Sequence, residues 1–147
     1  MSDLGVINCH AGNLPFYRGR NPLNWALING EDEFGITVHY VDESIDTGDI
    51  ILQDIHPITL QDNYSTLLTR SYSGCANILY KAVALFKNGK VKGSKQKNMH
   101  PVGFYCTQRK IGDEIINWDD TSINVFNFIR AICRPGPIAR AFINGIE

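Results

Sequence analysis

Val6-Ile7-Asn8-Cys9-His10, running into Ala11-Gly12-Asn13-Leu14-Pro15-Phe16-Tyr17-Arg18-Gly19, is the stretch whose reading decides the rest. Leu4 to Asn8 is a short apolar run suited to a buried strand, and it ends at a polar pair, Asn8 and His10. Ala11 to Arg20 holds Gly12, Asn13, Pro15 and Gly19, residues that interrupt regular structure, so it reads as a loop. A strand that delivers an amide and an imidazole straight into a loop is organised for chemistry at its end.

Working outward, Asn21-Pro22 starts a helix, because an Asn side chain caps and proline is tolerated at the first helical position. Leu23, Ala26 and Leu27 form its apolar stripe, and Asn29-Gly30 ends it. Gly35 to Val41 alternates as a strand does, Ser44 to Asp49 is a polar turn, and Ile50 to Ile58 is a second strand, antiparallel to the first. The longest predicted helix spans Tyr64 to Lys87, with Leu68, Tyr72, Cys75, Leu79, Ala82 and Phe86 on one face and Asn88-Gly89 as its stop. Beyond a Lys/Gly/Ser-rich linker, Phe104–Gln108 and Glu114–Asn117 read as short strands. Thr121 or Ser122 then caps a helix carrying Ile123, Phe126, Ile129 and Ile132, which must end before Pro135. This order predicts an α/β fold in two parts: 1–90, and a linker with a small strand-and-helix extension over 91–147.

With 147 residues, the chain has room for one domain with a real core. The net charge is -1, and the only lysine cluster is Lys90, Lys92, Lys95 and Lys97, which reads as a solvated loop. That argues against a surface built for a nucleic-acid backbone, which needs many clustered cations. The four cysteines are scattered without a CxxC pair, so no zinc cage or redox motif is expected, and they read as reduced, packed thiols. No run is long enough to span a membrane and no signal pattern opens the chain, so a cytoplasmic protein is expected.

Three segments then converge: Asn8-Cys9-His10 with Leu14-Pro15-Phe16-Tyr17-Arg18-Gly19; Trp25-Ala26 with Asn29-Gly30; and Gly35-Ile36-Thr37-Val38-His39 with Asp46-Thr47-Gly48. In this order and spacing they resemble the N10-formyltetrahydrofolate-dependent formyltransferases, tightly from Gly5 to about Gln53 and loosely to Phe142. The resemblance implies a formyltransferase-like, Rossmann-type fold. That family carries N-terminal βα units before the Asn-x-His strand, which here begins seven residues from Met1. A fragment, or a remainder supplied by another chain, is therefore expected, with an exposed sheet edge that favours homo-oligomers.

The chemistry fits these residue types. Formyl transfer to an amine passes through an oxyanion, which a side-chain amide such as Asn8 stabilises by hydrogen bonding. The amine loses a proton, a task for an imidazole such as His10, and a carboxylate such as Asp46 holds that imidazole. The resemblance gives Asn8, His10 and Asp46 these same catalytic roles. It also implies that Gly12, Asn13, Leu14 and Pro15, with Val41 and Ile45, line the site of the donor, N10-formyltetrahydrofolate. Arg18, Arg20 and Tyr40 are candidates for the acceptor, and no metal is called for. His39 reads equally as a support for the site or as a satisfied strand histidine; Trp25, His56 and His100 read as packing or surface residues. The wording of Tyr17 to Gly30 and of the tail is most similar to sugar N-formyltransferases, which implies a nucleotide-linked amino sugar, such as a dTDP-4-amino-4,6-dideoxyhexose, as acceptor. The alternatives are a methionyl-tRNA formyltransferase-like enzyme and an inactive fragment that only binds.

Overall fold

The computed structural model describes residues 3–142; the last five residues of the 91–147 segment, like the first two of the chain, lie outside them. Its centre is β3 (Glu33–Tyr40), flanked by β1 (Ile7–His10) and β4 (Ile50–Pro57) in a three-stranded antiparallel sheet ordered β1-β3-β4. Alternation sorts the side chains of β3. Phe34, Ile36 and Val38 face one way, and Gly35, Thr37 and His39 face the other. The first face lies under α2 (Tyr64–Leu85), which approaches so closely that a Cβ on Gly74 would stand 2.3 Å from Ile36 Cδ1. The second face is covered by the loop that follows β1: the Thr37 hydroxyl donates to the Gly12 carbonyl at 2.8 Å, and a Cβ on Gly35 would meet Asn13 Cα at 2.6 Å.

The sequence pattern places α2 correctly along the chain but rotates its buried stripe. The residues that sink fully into the core are Leu67, Ser71, Ile78 and Ala82; of the expected stripe Ala82 is buried and Leu68 and Cys75 pack against the core, while Tyr72 is 67% exposed. Apolar residues occur in adjacent pairs here (Leu67-Leu68, Ile78-Leu79, Ala82-Val83), so two faces compete and packing selects the earlier one. The N-terminus is fixed by a reciprocal capping box, in which the Asn63 side chain accepts from Thr66 N–H and Thr66 Oγ1 accepts from Asn63 N–H.

Short elements complete the fold. α1 (Pro22–Ile28) forms as expected, but Asn21 takes a left-handed conformation (φ 57°) and makes no side-chain cap. β2 (Arg18–Gly19) pairs in parallel with β5 (Tyr105–Cys106), and α3 (Gln96–Met99) is a single turn that the sequence reading missed inside the linker. Glu114–Asn117 contributes one bridge, Ile115 to Arg140, rather than a strand. α4 (Ser122–Ala131) starts at its Thr121 cap, yet Ile123, Phe126 and Ile129 remain exposed. Asn127, Ala131 and Ile132 are its buried contacts, and Asn24 of α1 donates to the Ala131 carbonyl at 2.7 Å.

The parallel, doubly wound sheet of a Rossmann-type fold is absent from the described residues, where the fold is mixed α/β with an antiparallel sheet. The β3–β4 connection explains this at one edge: residues 41–49 are too few for a parallel crossover. No described helix is long and apolar enough to cross a membrane.

The stripe assignment is open to test by urea denaturation. Ile78→Ala is expected to cost about 2–5 kcal/mol, Asn63→Ala about 1 kcal/mol, and exposed Tyr72→Ala no more than about 0.5 kcal/mol. A larger loss at Tyr72 than at Ile78 would restore the stripe read from the sequence.

Candidate active site

Register assembles the site. β1 and β3 pair Asn8 with His39 and His10 with Thr37, so all four side chains project from the sheet face opposite α2. Cys9, between Asn8 and His10, turns to the other side and packs against the core.

His39 is buried, and its two ring nitrogens have different partners. Nδ1 lies 2.7 Å from the Tyr40 carbonyl, which only accepts, so Nδ1 carries a proton. Nε2 faces Asn8 Nδ2 at 3.3 Å and Asp46 Oδ1 at 3.5 Å. In the neutral ring Nε2 therefore accepts from the Asn8 amide and fixes the direction in which that amide points; in the doubly protonated ring it donates to Asp46.

His10 has the opposite arrangement. Its Nε2 lies 2.7 Å from the Tyr17 carbonyl and donates to it, leaving Nδ1 as the free lone pair, 3.6 Å from Asp46 Oδ2. Burial lowers its pKa below the ordinary 6.5; the Tyr17 carbonyl and the Asp46 charge oppose that, and His39 reinforces it. The ring packs so tightly on Gly12 that a Cβ there would stand 2.3 Å from His10 Nε2. Tyr17 presents its carbonyl because its own ring is anchored: the hydroxyl donates to Glu31 Oε1 at 2.6 Å and accepts from Asn29 Nδ2 at 3.0 Å.

Asp46 arrives from the β3–β4 connection in a left-handed conformation (φ 53°), which an aspartate tolerates better than most residues. Gly19 N–H of β2 donates to Oδ2 at 2.8 Å. Burial pushes its pKa up, but the adjacent His39 ring, the Gly19 amide and His10 outweigh that and hold it below the ordinary carboxylate value. The backbone of the turn is clamped by Gln96, whose side-chain amide donates to the carbonyls of Asp46 and Gly48, both at 2.8 Å. The Gln96 oxygen accepts from Arg18 Nε at 3.0 Å and Nη2 at 2.7 Å. Gly48 has no room for a side chain, since a Cβ would fall 1.8 Å from the Tyr40 carbonyl oxygen. Gln96 was not singled out from the sequence: a lone glutamine in a lysine-rich linker carries no signal, and only its 3% exposure reveals the role.

The other expected ligand residues divide. Arg18 is buried and spent on Gln96, the Val102 carbonyl and the Tyr105 ring, so it braces the Asp46 turn and is not free for an acceptor anion. Leu14 and Pro15 are fully buried. Gly12 is buried under His10, and Asn13 packs on Gly35. Val41 and Tyr40 border a groove of about 1150 Å³ with Val6, Lys90, Lys92 and Met99, while Ile45 stands 66% exposed on the turn and outside that lining. Arg20 is exposed and lines a second groove of about 440 Å³ with Asn21, Tyr64 and Arg109.

Residues 1–83 match a protein family described as formyl transferase. Over 96% of its length the chain is 43% identical to a methionyl-tRNA formyltransferase of Fusobacterium nucleatum, of which it covers 44%. Among solved structures it resembles an N-formyltransferase from Helicobacter canadensis, in complex with folinic acid and dTDP-3-aminofucose, at a TM-score of 0.80 and 31% identity, covering 95% of this chain and 51% of that one. A 4-N formyltransferase from Francisella tularensis shares the fold at a TM-score of 0.81 and 24% identity, over 96% of this chain and 58% of that one. The chain spans about half the length of the curated relatives it matches.

The buried neutral His10 has a consequence for stability. Its folded pKa lies below its unfolded one, so on acidification through the ordinary value of 6.5 the unfolded chain takes up a proton that the folded ring refuses. Stability is therefore full at neutral pH and declines as pH falls below that value. Urea midpoints measured between about pH 7.5 and about pH 5 should fall for the parent chain and fall less steeply for His10→Gln, with Asp46 still ionised across that window. Gly12→Ala, which forces the ring aside, should shift the His10 NMR titration upward; an unmoved titration would show that the Gly12 contact does not set it.

Proposed function

We propose, for a chain that belongs to the formyl transferase family, that this site transfers a formyl group from N10-formyltetrahydrofolate to a primary amine. The observation that carries this reading is the opposite tautomers of the two histidines about one carboxylate. His10 offers Nδ1 as a base on the Asp46 side; His39 uses its free nitrogen to orient Asn8.

The roles follow from those contacts. His10, uncharged near neutral pH because it is buried, accepts the proton the amine gives up as it attacks. The imidazolium then formed has Asp46 beside it, already ionised, so the charge is countered without rearrangement. Asn8 stands exposed at the end of this face and donates to the formyl oxygen as it gains negative charge. N10-formyltetrahydrofolate, the donor, would supply the one-carbon unit, and the proton taken up by His10 would pass to N10 as the bond between N10 and the formyl carbon breaks.

The 1150 Å³ groove suits that donor. Its exposed Val6 and Val41 offer apolar walls to a flat ring system, and Lys90 and Lys92 offer cations to carboxylates. For the acceptor we favour a nucleotide-linked amino sugar. The 440 Å³ groove begins at Arg20, one residue beyond the Gly19 amide that holds Asp46, and its two arginines, Arg20 and Arg109, suit a diphosphate. The likeness to the Helicobacter canadensis enzyme supports this choice, and a net charge of -1 offers little to a polynucleotide. The second reading, transfer to methionyl-tRNA, is favoured by the 43% identity to the Fusobacterium nucleatum relative.

The two are separated by assaying formylation of nucleotide-linked amino sugars and of methionyl-tRNA. The assay uses this chain alone and joined to the segment that precedes the matched region in its relatives. Product from a sugar is expected, with His10→Ala about 10²–10⁴-fold slower and Arg20→Ala raising KM more than it lowers kcat. Product from methionyl-tRNA alone would transfer the assignment to the second reading, and no product from any amine in the joined form would refute both.

A further inference from the structure

Register lays a row of polar side chains straight across the sheet. His10 of β1 stands opposite Thr37 of β3, and Thr37 stands opposite Gln53 of β4, so the row runs along the face that also carries Asn8 and His39. The Gln53 amide nitrogen donates to the Thr37 hydroxyl at 2.9 Å and to the Leu14 carbonyl at 2.8 Å. The fully buried Thr37 hydroxyl donates in turn to the Gly12 carbonyl at 2.8 Å. We infer that Gln53 and Thr37 are positioning residues for His10, acting through Gly12 to hold its ring against the Tyr17 carbonyl.

The supply of protons gives the row a direction. A carbonyl only accepts, so the Gln53 amide commits one hydrogen to Leu14 and the other to Thr37. A hydroxyl has a single hydrogen, and with Gln53 donating to its oxygen the Thr37 hydrogen is left for Gly12. Leu14 N–H donates to the same Gly12 carbonyl at 3.1 Å, so residues 12–14 are tied to β3 and β4 together. Gly12 is where that restraint reaches His10. A Cβ there would stand 2.3 Å from His10 Nε2 and 2.7 Å from the Tyr17 carbonyl oxygen, so Gly12 lies against both partners of the hydrogen bond that fixes the ring.

The restraint matters because two acceptors compete for the one proton of the neutral His10 ring. Asp46 Oδ2, 3.6 Å from Nδ1, draws the proton to that nitrogen; the Tyr17 carbonyl, 2.7 Å from Nε2, keeps it there instead. The shorter contact wins only while the carbonyl stays in place. A loop free to shift would let the proton settle on Nδ1, where it blocks the lone pair that a base needs. Among the described residues no hydrogen bond joins Gln53 or Thr37 to the ring, so both act through the loop. The consequence for formyl transfer rests on the function proposed above, whereas the tautomer itself does not.

The test reads the His10 tautomer by long-range nitrogen–proton NMR correlation at neutral pH in Thr37→Val, Thr37→Ser and Gln53→Met. Valine keeps the shape of threonine without its hydroxyl, and methionine keeps the length of glutamine without its amide. Thr37→Val and Gln53→Met should each bring up an Nδ1–H form of His10, and Thr37→Ser should restore the parent spectrum. His39, tied to the Tyr40 carbonyl, should stay Nδ1–H throughout. In the formyl-transfer assay the first two variants should lower kcat by up to about 10²-fold and leave KM unchanged. Gln53 is only partly buried, so Gln53→Met carries the test if Thr37→Val fails to fold. A His10 that keeps the pure Nε2–H form in folded Gln53→Met overturns the proposal whatever the activity, as does a Thr37→Ser chain that behaves like Thr37→Val. A displaced tautomer in a chain that transfers no formyl group upholds the positioning and counts against the proposed function alone.

Discussion

The Asp46 carboxylate is the point on which the rest of the site depends. It is held in a left-handed turn by an amide hydrogen of β2 at one oxygen, and its backbone is gripped by Gln96. Gln96 is itself fixed by Arg18, the residue just before the Gly19 that donates to the carboxylate. The result is a closed ring of polar contacts: Arg18 to Gln96, Gln96 to the Asp46 turn, and Asp46 back to Gly19. Each member is mostly buried, and each donor in the ring finds an acceptor, so breaking one link leaves a buried group unsatisfied and does not merely remove one favourable contact.

That ring also explains why the tail packs where it does. Gln96, the short α3 and β5 lie far along the chain from β1 and β3, yet β5 pairs with β2 and Trp25 of α1 donates to the Thr107 carbonyl at 3.0 Å. The segment after the long helix supplies the clamp and the strand partner that keep the Asp46 turn in place. It is structural support for the proposed site on the first fifty residues.

The sequence made some of this legible and concealed the rest, for physical reasons. Asn8, His10 and Asp46 converge as expected, because register and a short connection bring them together from motifs that stand close in the chain. His39, left between two readings, turns out to face both Asn8 and Asp46, since strand pairing sets it opposite Asn8. Arg18 looked like an anion binder, but its charge is turned inward. Nothing in the local pattern announces that, because its partner, Gln96, is 78 residues away. The rotated stripe of α2 and the exposed isoleucines of α4 share a cause: periodicity shows that a face exists, and packing decides which of two adjacent faces is buried. The antiparallel sheet was half-read, with the hairpin clear and the placement of β1 beside β3 set only in three dimensions.

The claim that most needs direct measurement is that one carboxylate stands between two imidazoles of opposite tautomer. Long-range nitrogen–proton NMR correlation on the chain at neutral pH reads each ring separately. The structure predicts the Nε2–H form for His10, with Nδ1 bare towards Asp46, and the Nδ1–H form for His39, with Nε2 turned to Asn8. A His10 found as the Nδ1–H tautomer would place a donor where the base is required, and would contradict the arrangement from which the proposed chemistry is derived.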